Sequence, residues 1–548
     1  MKKSLHSGLL VLALLVSARS EDLRLAYVSA VDGSTQPYRL YVPGGYDGKR
    51  QYPLVVALHG TAGNQNTFFD DARYQQRSIR EAADRRQMLV VCPHGRGPRE
   101  YRGAAEHDVF SVMAEVERKF KVDPDRVYIT GHSMGGTGAA YLALHHPDVF
   151  AAAAPLSAAY GWPWLAPNAR HVPFWWVSGG LDRSWFLFGT NLGVEGMRAA
   201  GAAVQQTILE AGDHYGPVRD MDAVLAWLGR HRLVRHPREY TFVVDTPLHG
   251  QAYWTRVEAL LHPGRPAQLS VRRAESRIEI RTANISSFAL LHDPVLMPPE
   301  RAFTVDVDGQ NAFKGTILAG KELQLRLKNG GWVAAPAPAG TRRPTDWRFT
   351  PVGIAPRPLS MSGVEAPLAN WITDAMRAAT GADIAIINRV HYRGFPIPAG
   401  QVDMTDVLEA MGPWDWQLIV ARLSGADLLA ILDENVADPD KQYRYSMNGP
   451  EADRLIQLSG AWYGFDRSRP PGQRMVSSSL RPGKVYSVAL EGHTAQRESG
   501  MLAERFLKGN IEPTDIPLSA ALYGFAARQG RIEARVEGRV REASAAAK

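Results

Sequence analysis

The sequence predicts an α/β fold over residues 21–235, with strands and helices in alternation, and three observations predict it. The β-branched and aromatic run 126–130 reads as a strand. It leads into Gly131-His132-Ser133-Met134-Gly135, with Gly136 following, and then into a helix-like stretch at 137–144. A strand, a sharp Gly-x-Ser-x-Gly turn and a helix hold the serine at the tip of a strained turn, hydroxyl exposed, with the helix N-terminus behind it. Second, the apolar run 172–177 reads as a buried strand and ends in Ser178-Gly179-Gly180-Leu181-Asp182. Third, 204–210 reads as a strand that enters Ala211-Gly212-Asp213-His214-Tyr215-Gly216, with a helix at 221–228 beyond it.

The residues that carry chemistry thus fall in loops after predicted strands, the edge of a parallel sheet where ligands bind. The order Ser133, Asp182, His214 is that of a nucleophile, an orienting acid and a general base. In these roles His214 takes the Ser133 proton, and Asp182 fixes the imidazole tautomer and stabilises the imidazolium. Two other carboxylates compete for the acid's place. Asp213 is the direct neighbour of His214, and adjacent side chains in an extended loop diverge. Asp220 stands at the start of the last helix, a capping position.

The oxyanion donors are expected from an earlier loop. The apolar strand 51–58 runs into His59-Gly60-Thr61-Ala62-Gly63-Asn64-Gln65, and the His-Gly pair lets the backbone turn an amide toward the nucleophile. The expected donors are the backbone amides of Thr61 and Met134, a type of group worth about 3 kcal/mol each to the transition state. His59 is read as a brace for this loop, with substrate contact as its second reading. Aromatic residues crowd the acid loop and the one before it: Trp162, Trp164, Trp175, Trp176, Trp185, Phe186 and Phe188. They are read as the lining of an apolar acyl or aromatic pocket, with core packing as the role of about half of them, and Trp162 and Trp185 are the named substrate-binding candidates.

These residues carry a resemblance. Together with Leu58-His59-Gly60, Cys92-Pro93-His94-Gly95 and Asp123-Pro124-Asp125-Arg126-Val127-Tyr128, the turn around Ser133, an elbow between strand and helix, makes residues from about 25 to 235 resemble α/β-hydrolase esterases related to polyhydroxyalkanoate depolymerases and feruloyl esterases. The resemblance implies a central, mostly parallel sheet flanked by helices, and hydrolysis of a small-molecule or polymer ester through an acyl-serine, without cofactor or metal. A serine peptidase of the same fold is the alternative, because acyl transfer uses the same triad. The chain departs from the family pattern at Ser178-Gly179-Gly180 and at Gly212-Asp213-His214-Tyr215.

At 548 residues the chain is long enough for about three domains. A basic start at Met1-Lys2-Lys3, an apolar core at 8–16 and Ser17-Ala18-Arg19-Ser20 read as a secretory signal over residues 1–20. That core falls well short of the roughly 20 residues of a membrane anchor. The expectation is an exported bacterial protein, periplasmic or secreted. Cys92 is the only cysteine, which excludes intramolecular disulfides. The net charge of +7 comes from scattered arginines with no basic run interleaved with aromatics, which excludes nucleic-acid binding as a function class.

Between 236 and 333 short runs alternate at period two, at 240–244, 268–271, 277–281, 287–291, 303–307 and 323–327, and predict a β-sandwich. The Ala/Pro stretch that follows is expected to begin a linker over 334–349. From 350 to 540 the pieces Thr380-Gly381-Ala382-Asp383, Leu423-Ser424-Gly425-Ala426-Asp427-Leu428, Gln457-Leu458-Ser459-Gly460 and Asp466-Arg467-Ser468-Arg469-Pro470-Pro471-Gly472 make the chain resemble the α+β C-terminal domain of bacterial 5′-nucleotidases. In that family the domain binds a nucleoside, so a nucleotide-binding or nucleotidase-related protein is the rival reading. Only Arg393 keeps a ligand-facing place. Leu455 and Ile456 stand where one base-stacking aromatic is expected, and Glu498-Ser499-Gly500-Met501-Leu502 where the other is. The histidine and aspartate motifs of the family's metallophosphatase domain are absent from the sequence.

Overall fold

Strands β1 (Glu21–Val28), β2 (Thr35–Val42), β3 (Tyr52–Leu58), β4 (Leu89–Pro93), β5 (Val122–His132), β6 (Ala152–Leu156), β7 (Phe174–Gly179) and β8 (Val204–Leu209) form one sheet in the order β1-β2-β4-β3-β5-β6-β7-β8. The pairings of β2 with β1 and β4 are antiparallel and all others parallel. This is the α/β-hydrolase fold. The computed structural model describes residues 19–159, 161–182, 184–339, 351–388, 395–411, 415–437, 455–492 and 510–543. The expected signal segment therefore lies almost wholly outside the described residues, and so does Arg393.

Strands β3, β4 and β6 are buried along their whole length. They read as unbroken apolar runs because helices cover both faces of a parallel sheet. Alternate residues of β3 feed opposite faces. Leu54, Val56 and Leu58 join one core cluster with the helix Ala104–Lys119 and the elbow helix Met134–His145. Val55 and Ala57 join the other with the helices Ile79–Arg86 and Met221–Leu228. Cys92 is buried on that second face, and its burial pushes the thiol pKa up.

A β-sandwich follows. Strands β9 (Glu239–Val244), β12 (Ala267–Arg273), β13 (Arg277–Ala283), β15 (Phe303–Val307) and β16 (Gln310–Gly315) make one five-stranded sheet. The other contains β10 (Gln251–Ala252), β11 (Thr255–Leu260), β14 (Ile285–Leu291), β17 (Lys321–Lys328) and β18 (Gly331–Pro338). Inward residues of both sheets, among them Phe242, Leu269, Ile280, Phe288, Leu290 and Leu325, share one core. The structure corrects the sequence reading at β18. The Ala/Pro stretch expected to open the linker pairs along its length with β17, as in Leu323 with Pro336 and Lys321 with Pro338. It tolerates two prolines because β18 is the sheet's edge and need not donate hydrogen bonds outward.

The C-terminal region is α+β. Its five-stranded sheet runs in the order Ile456–Ser459, Ile384–Asn388, Val485–Glu491, Gln417–Ser424, Ile511–Pro517. The helices Pro367–Thr380 and Leu518–Gln529 pack on it through Leu368, Trp371, Ile372, Leu518 and Leu522. Leu455 and Ile456 are core residues here, which accounts for aliphatic side chains at that position. No described helix is long and apolar enough to cross a membrane.

Candidate active site

Ser133 follows directly on β5 and caps the elbow helix with φ 59° and ψ −118°, a left-handed backbone that a non-glycine residue occupies only under strain. Two contacts hold it. Its N–H donates to the Leu156 carbonyl at the end of β6 (2.9 Å), and its carbonyl accepts from Thr137 N–H (3.0 Å). The turn also needs close backbone approach. A Cβ on Gly135 would run into the Leu58 carbonyl of β3. Gly135→Ala is therefore expected to cost about 3 kcal/mol or more by overpacking against backbone that cannot yield. The measurement is the Tm of the purified variant, and an unchanged Tm would mean that β3 can retreat from the elbow.

The acid and base loops meet because β7 and β8 are neighbours. Leu181 N–H donates to the Gly212 carbonyl (2.9 Å), and a Cβ on Gly179 would strike the Asp213 carbonyl. Across this contact His214 Nδ1 lies 2.7 Å from Asp182 Oδ2. A carboxylate only accepts, so Nδ1 carries a proton, and in the neutral ring Nε2 presents a lone pair. The Asp182 side chain is 3% exposed and that of His214 26%, so the acid is dry while the imidazole stays reachable. Asp213 turns away: it accepts from Tyr215 N–H and pairs with Arg219 (2.9 Å). Asp220 caps the helix Met221–Leu228 through Ala223 N–H (3.0 Å) and pairs with Arg77.

The loop after β3 lies against the elbow. An ideal Cβ on Gly60 would come 3.4 Å from Ser133 Cβ, so the loop passes close beside Ser133 at that residue. His59 is 1% exposed, with ring nitrogens 2.8 Å from the carbonyls of Gly60 and His94. It braces the loop, and its burial takes away the substrate contact that was its second reading. Trp162 is corrected in the same way. It is completely buried against Tyr141 and beneath the Arg102 guanidinium, a part of the core and not of an open pocket. Trp176 is also core, Phe186 packs on the His214 ring at 4.8 Å, and Phe188 is exposed. The side chain of Trp185 lies outside the described residues.

Two features were not read from the sequence. His132, the variable residue of the elbow, places Nε2 2.8 Å from the His214 carbonyl and Nδ1 2.6 Å from the Tyr74 hydroxyl. The carbonyl can only accept, so Nε2 donates and Nδ1 accepts from Tyr74. Burial lowers the His132 pKa to about 3, so the ring stays neutral and the bridge persists over the ordinary pH range. Ser157 Oγ donates to the same carbonyl (2.8 Å). His214 is thus fixed at its side chain by Asp182 and at its backbone by His132 and Ser157. Only the Gly-His-Ser order hinted at this.

The second is the loop after β4. It holds Arg96, Glu100 and Tyr101 at positive φ, and the Tyr101 hydroxyl donates to the His59 carbonyl (3.1 Å). On its outer side Arg99 forms an ion pair with Glu409 and lies 3.9 Å over the Phe395 ring. The C-terminal region therefore buttresses the loop that braces the expected oxyanion site.

Two known families match separate stretches of the chain. Residues 29–185 match the Esterase family, and residues 351–504 match the family described as 5'-nucleotidase, C-terminal domain. The chain is 27% identical over 198 residues to poly(3-hydroxyalkanoate) depolymerase C of Paucimonas lemoignei, covering 33% of this chain and 45% of the depolymerase. It spans less than half the length of the curated relatives it matches. Among solved structures, a ferulic acid esterase is 20% identical with a TM-score of 0.35, covering 39% of this chain and 98% of the esterase. A 5'-nucleotidase precursor of Thermus thermophilus is 20% identical with a TM-score of 0.32, covering 44% of this chain and 54% of the precursor. The chain thus joins an Esterase-family domain to a 5'-nucleotidase C-terminal domain.

Proposed function

We propose that the Esterase-family domain, residues 21–235, hydrolyses carboxylic esters through an acyl-serine intermediate. Ser133 Oγ attacks the ester carbonyl while His214 Nε2 takes its proton, and the amides of Thr61 and Met134 receive the developing oxyanion. The imidazolium then protonates the departing alkoxide. Water, deprotonated by the same His214, releases the acid and restores Ser133. The observation that carries this reading is the 2.7 Å contact of a buried Asp182 with His214 Nδ1, made between two loops that meet beside the strained Ser133 turn. The similarity to a polyester depolymerase supports an ester substrate, small or polymeric. In this reading residues 1–20 are a secretory signal, the protein works in the periplasm or outside the cell, and no cofactor enters.

A serine-reactive phosphonate tests the proposal. It should label one residue, Ser133, located by peptide mass mapping, and a nitrophenyl ester should be turned over far faster than the matching anilide. A chain that stays unlabelled, or prefers the anilide, would shift the reading to a binding role or to a peptidase.

His132 gives a second expected outcome. His132→Leu should lower kcat by about tenfold to a hundredfold through misplacement of the base, with KM little changed. His132→Gln, whose amide N–H2 can still donate to the His214 carbonyl, should recover most of the loss. Equal losses in both variants with unchanged Tm would show that the bridge does not position the base.

A further inference from the structure

Away from Ser133, at the seam between the hydrolase sheet and the β-sandwich, five ionisable side chains are buried together. His145 ends the elbow helix, and His146 follows it. Asp245 follows β9, His249 closes the short helical turn Pro247–His249, and Glu106 lies on the helix Ala104–Lys119. None is more than 8% exposed. The proposed ester hydrolysis uses none of them.

The hydrogen-bond inventory leaves a gap at the centre of this cluster. His145 Nδ1 lies 2.9 Å from the Tyr141 carbonyl, which only accepts, so that nitrogen carries the proton. In the neutral ring its Nε2 presents a lone pair to Asp245 Oδ2 at 3.0 Å, two acceptors face to face that only a proton or a metal ion can join. The other Asp245 oxygen, Oδ1, accepts no hydrogen bond although it is buried, and lies 3.7 Å from His249 Nδ1. That separation is too long for a good hydrogen bond. It is close to the roughly 3.4 Å between two atoms that share a tetrahedral metal at bonds of about 2.1 Å. The ligating atoms of His145, Asp245 and His249 all lie within 4.8 Å of one another.

We propose that His145 Nε2, His249 Nδ1 and the Asp245 carboxylate bind a first-row divalent cation of the zinc class. Both imidazoles have the outer support such ligands need. His145 Nδ1–H donates to the Tyr141 carbonyl, and His249 Nε2 faces Glu106 Oε2 at 3.4 Å. The buried Thr246 hydroxyl, 3.4 Å from His249 Nδ1, is in reach of a fourth position. Charge also closes: the two positive charges of the ion balance Asp245 and Glu106, with all three imidazoles neutral. His146 Nε2 donates to Glu106 Oε1 (2.5 Å) and completes the surround. The ion would tie the C-terminal end of the elbow helix to the first strand of the sandwich, a closed structural site filled as the chain folds. The sequence hides it because His145 and Asp245 stand 100 residues apart.

The test uses the full chain, unfolded with chelator and refolded with excess Co2+ or Zn2+, freed of loose ions by gel filtration, and assayed by elemental mass spectrometry. The expected result is about one equivalent per chain, visible absorption of tetrahedral Co2+, and a Tm above that of metal-free refolded protein. Asp245→Asn and His249→Gln should each lower occupancy by about tenfold or more. Less than about a tenth of an equivalent in folded wild type, or full occupancy in both variants, overturns the site. The first outcome would mean that protons alone join these side chains. Should neither variant fold, the metal content and the metal-dependent Tm of the wild type decide. None of these readouts depends on ester hydrolysis.

Discussion

Ser133→Ala is expected to reduce hydrolysis of a short-chain aryl ester by on the order of 10⁴-fold or more, with the fold retained. The size follows from chemistry, since alanine has no atom to form the acyl bond and the residual rate is what the oxyanion donors and binding supply alone. Retention of the fold follows from the structure. Ser133 is held by its backbone, through the Leu156 carbonyl and Thr137 N–H, and alanine keeps both contacts. The positive φ at this position strains serine and alanine alike. The check pairs kcat/KM with Tm on one preparation. Wild-type turnover by a folded variant would remove Ser133 from the mechanism and leave the comparison with esterases as one of fold only.

Asp182→Asn is expected to lower kcat by about 10⁴-fold, because an amide facing Nδ1 favours the tautomer that puts the proton on Nε2 and takes away the base. Asp213→Asn is expected to lower it by less than about tenfold. Asp213 pairs with Arg219 at the surface, where ion pairs contribute little. The two substitutions change charge and size equally in loops that touch each other, so their difference isolates the contact with His214. Nearly equal losses, or a larger loss at Asp213, would count against the 2.7 Å contact as the working one. The Tm of each variant separates lost chemistry from lost folding.

The elbow, the order of the acid and base loops and the period-two strands of the sandwich were legible because local patterns encode them. The sharp turn needs its glycines, the buried strands need unbroken apolar runs, and half-covered sheets need alternation. The same logic misread the end of the sandwich. Alanine and proline are linker residues by composition, and only the pairing of β18 with β17 at a sheet edge makes them a strand. Trp162 was misread for a related reason: an aromatic near a site says nothing of which way its ring turns, and here Arg102 and Tyr141 enclose it.

By itself the sequence determined the fold class and pointed to the proposed nucleophile and its proposed partners in their loops, since each reading depends on residues within a few positions of one another. The choice of Asp182 over Asp213 was argued from the sequence, but its geometry came from the adjacency of β7 and β8. Tertiary structure alone decided the rest: the His132 bridge to the His214 backbone, the Arg99 contact that leans the C-terminal region on the loop after β4, and the buried meeting of His145, Asp245 and His249. Each of these joins side chains distant along the chain. Their proximity is set by how strands order themselves in a sheet and how one domain packs on the next, and no local periodicity records it.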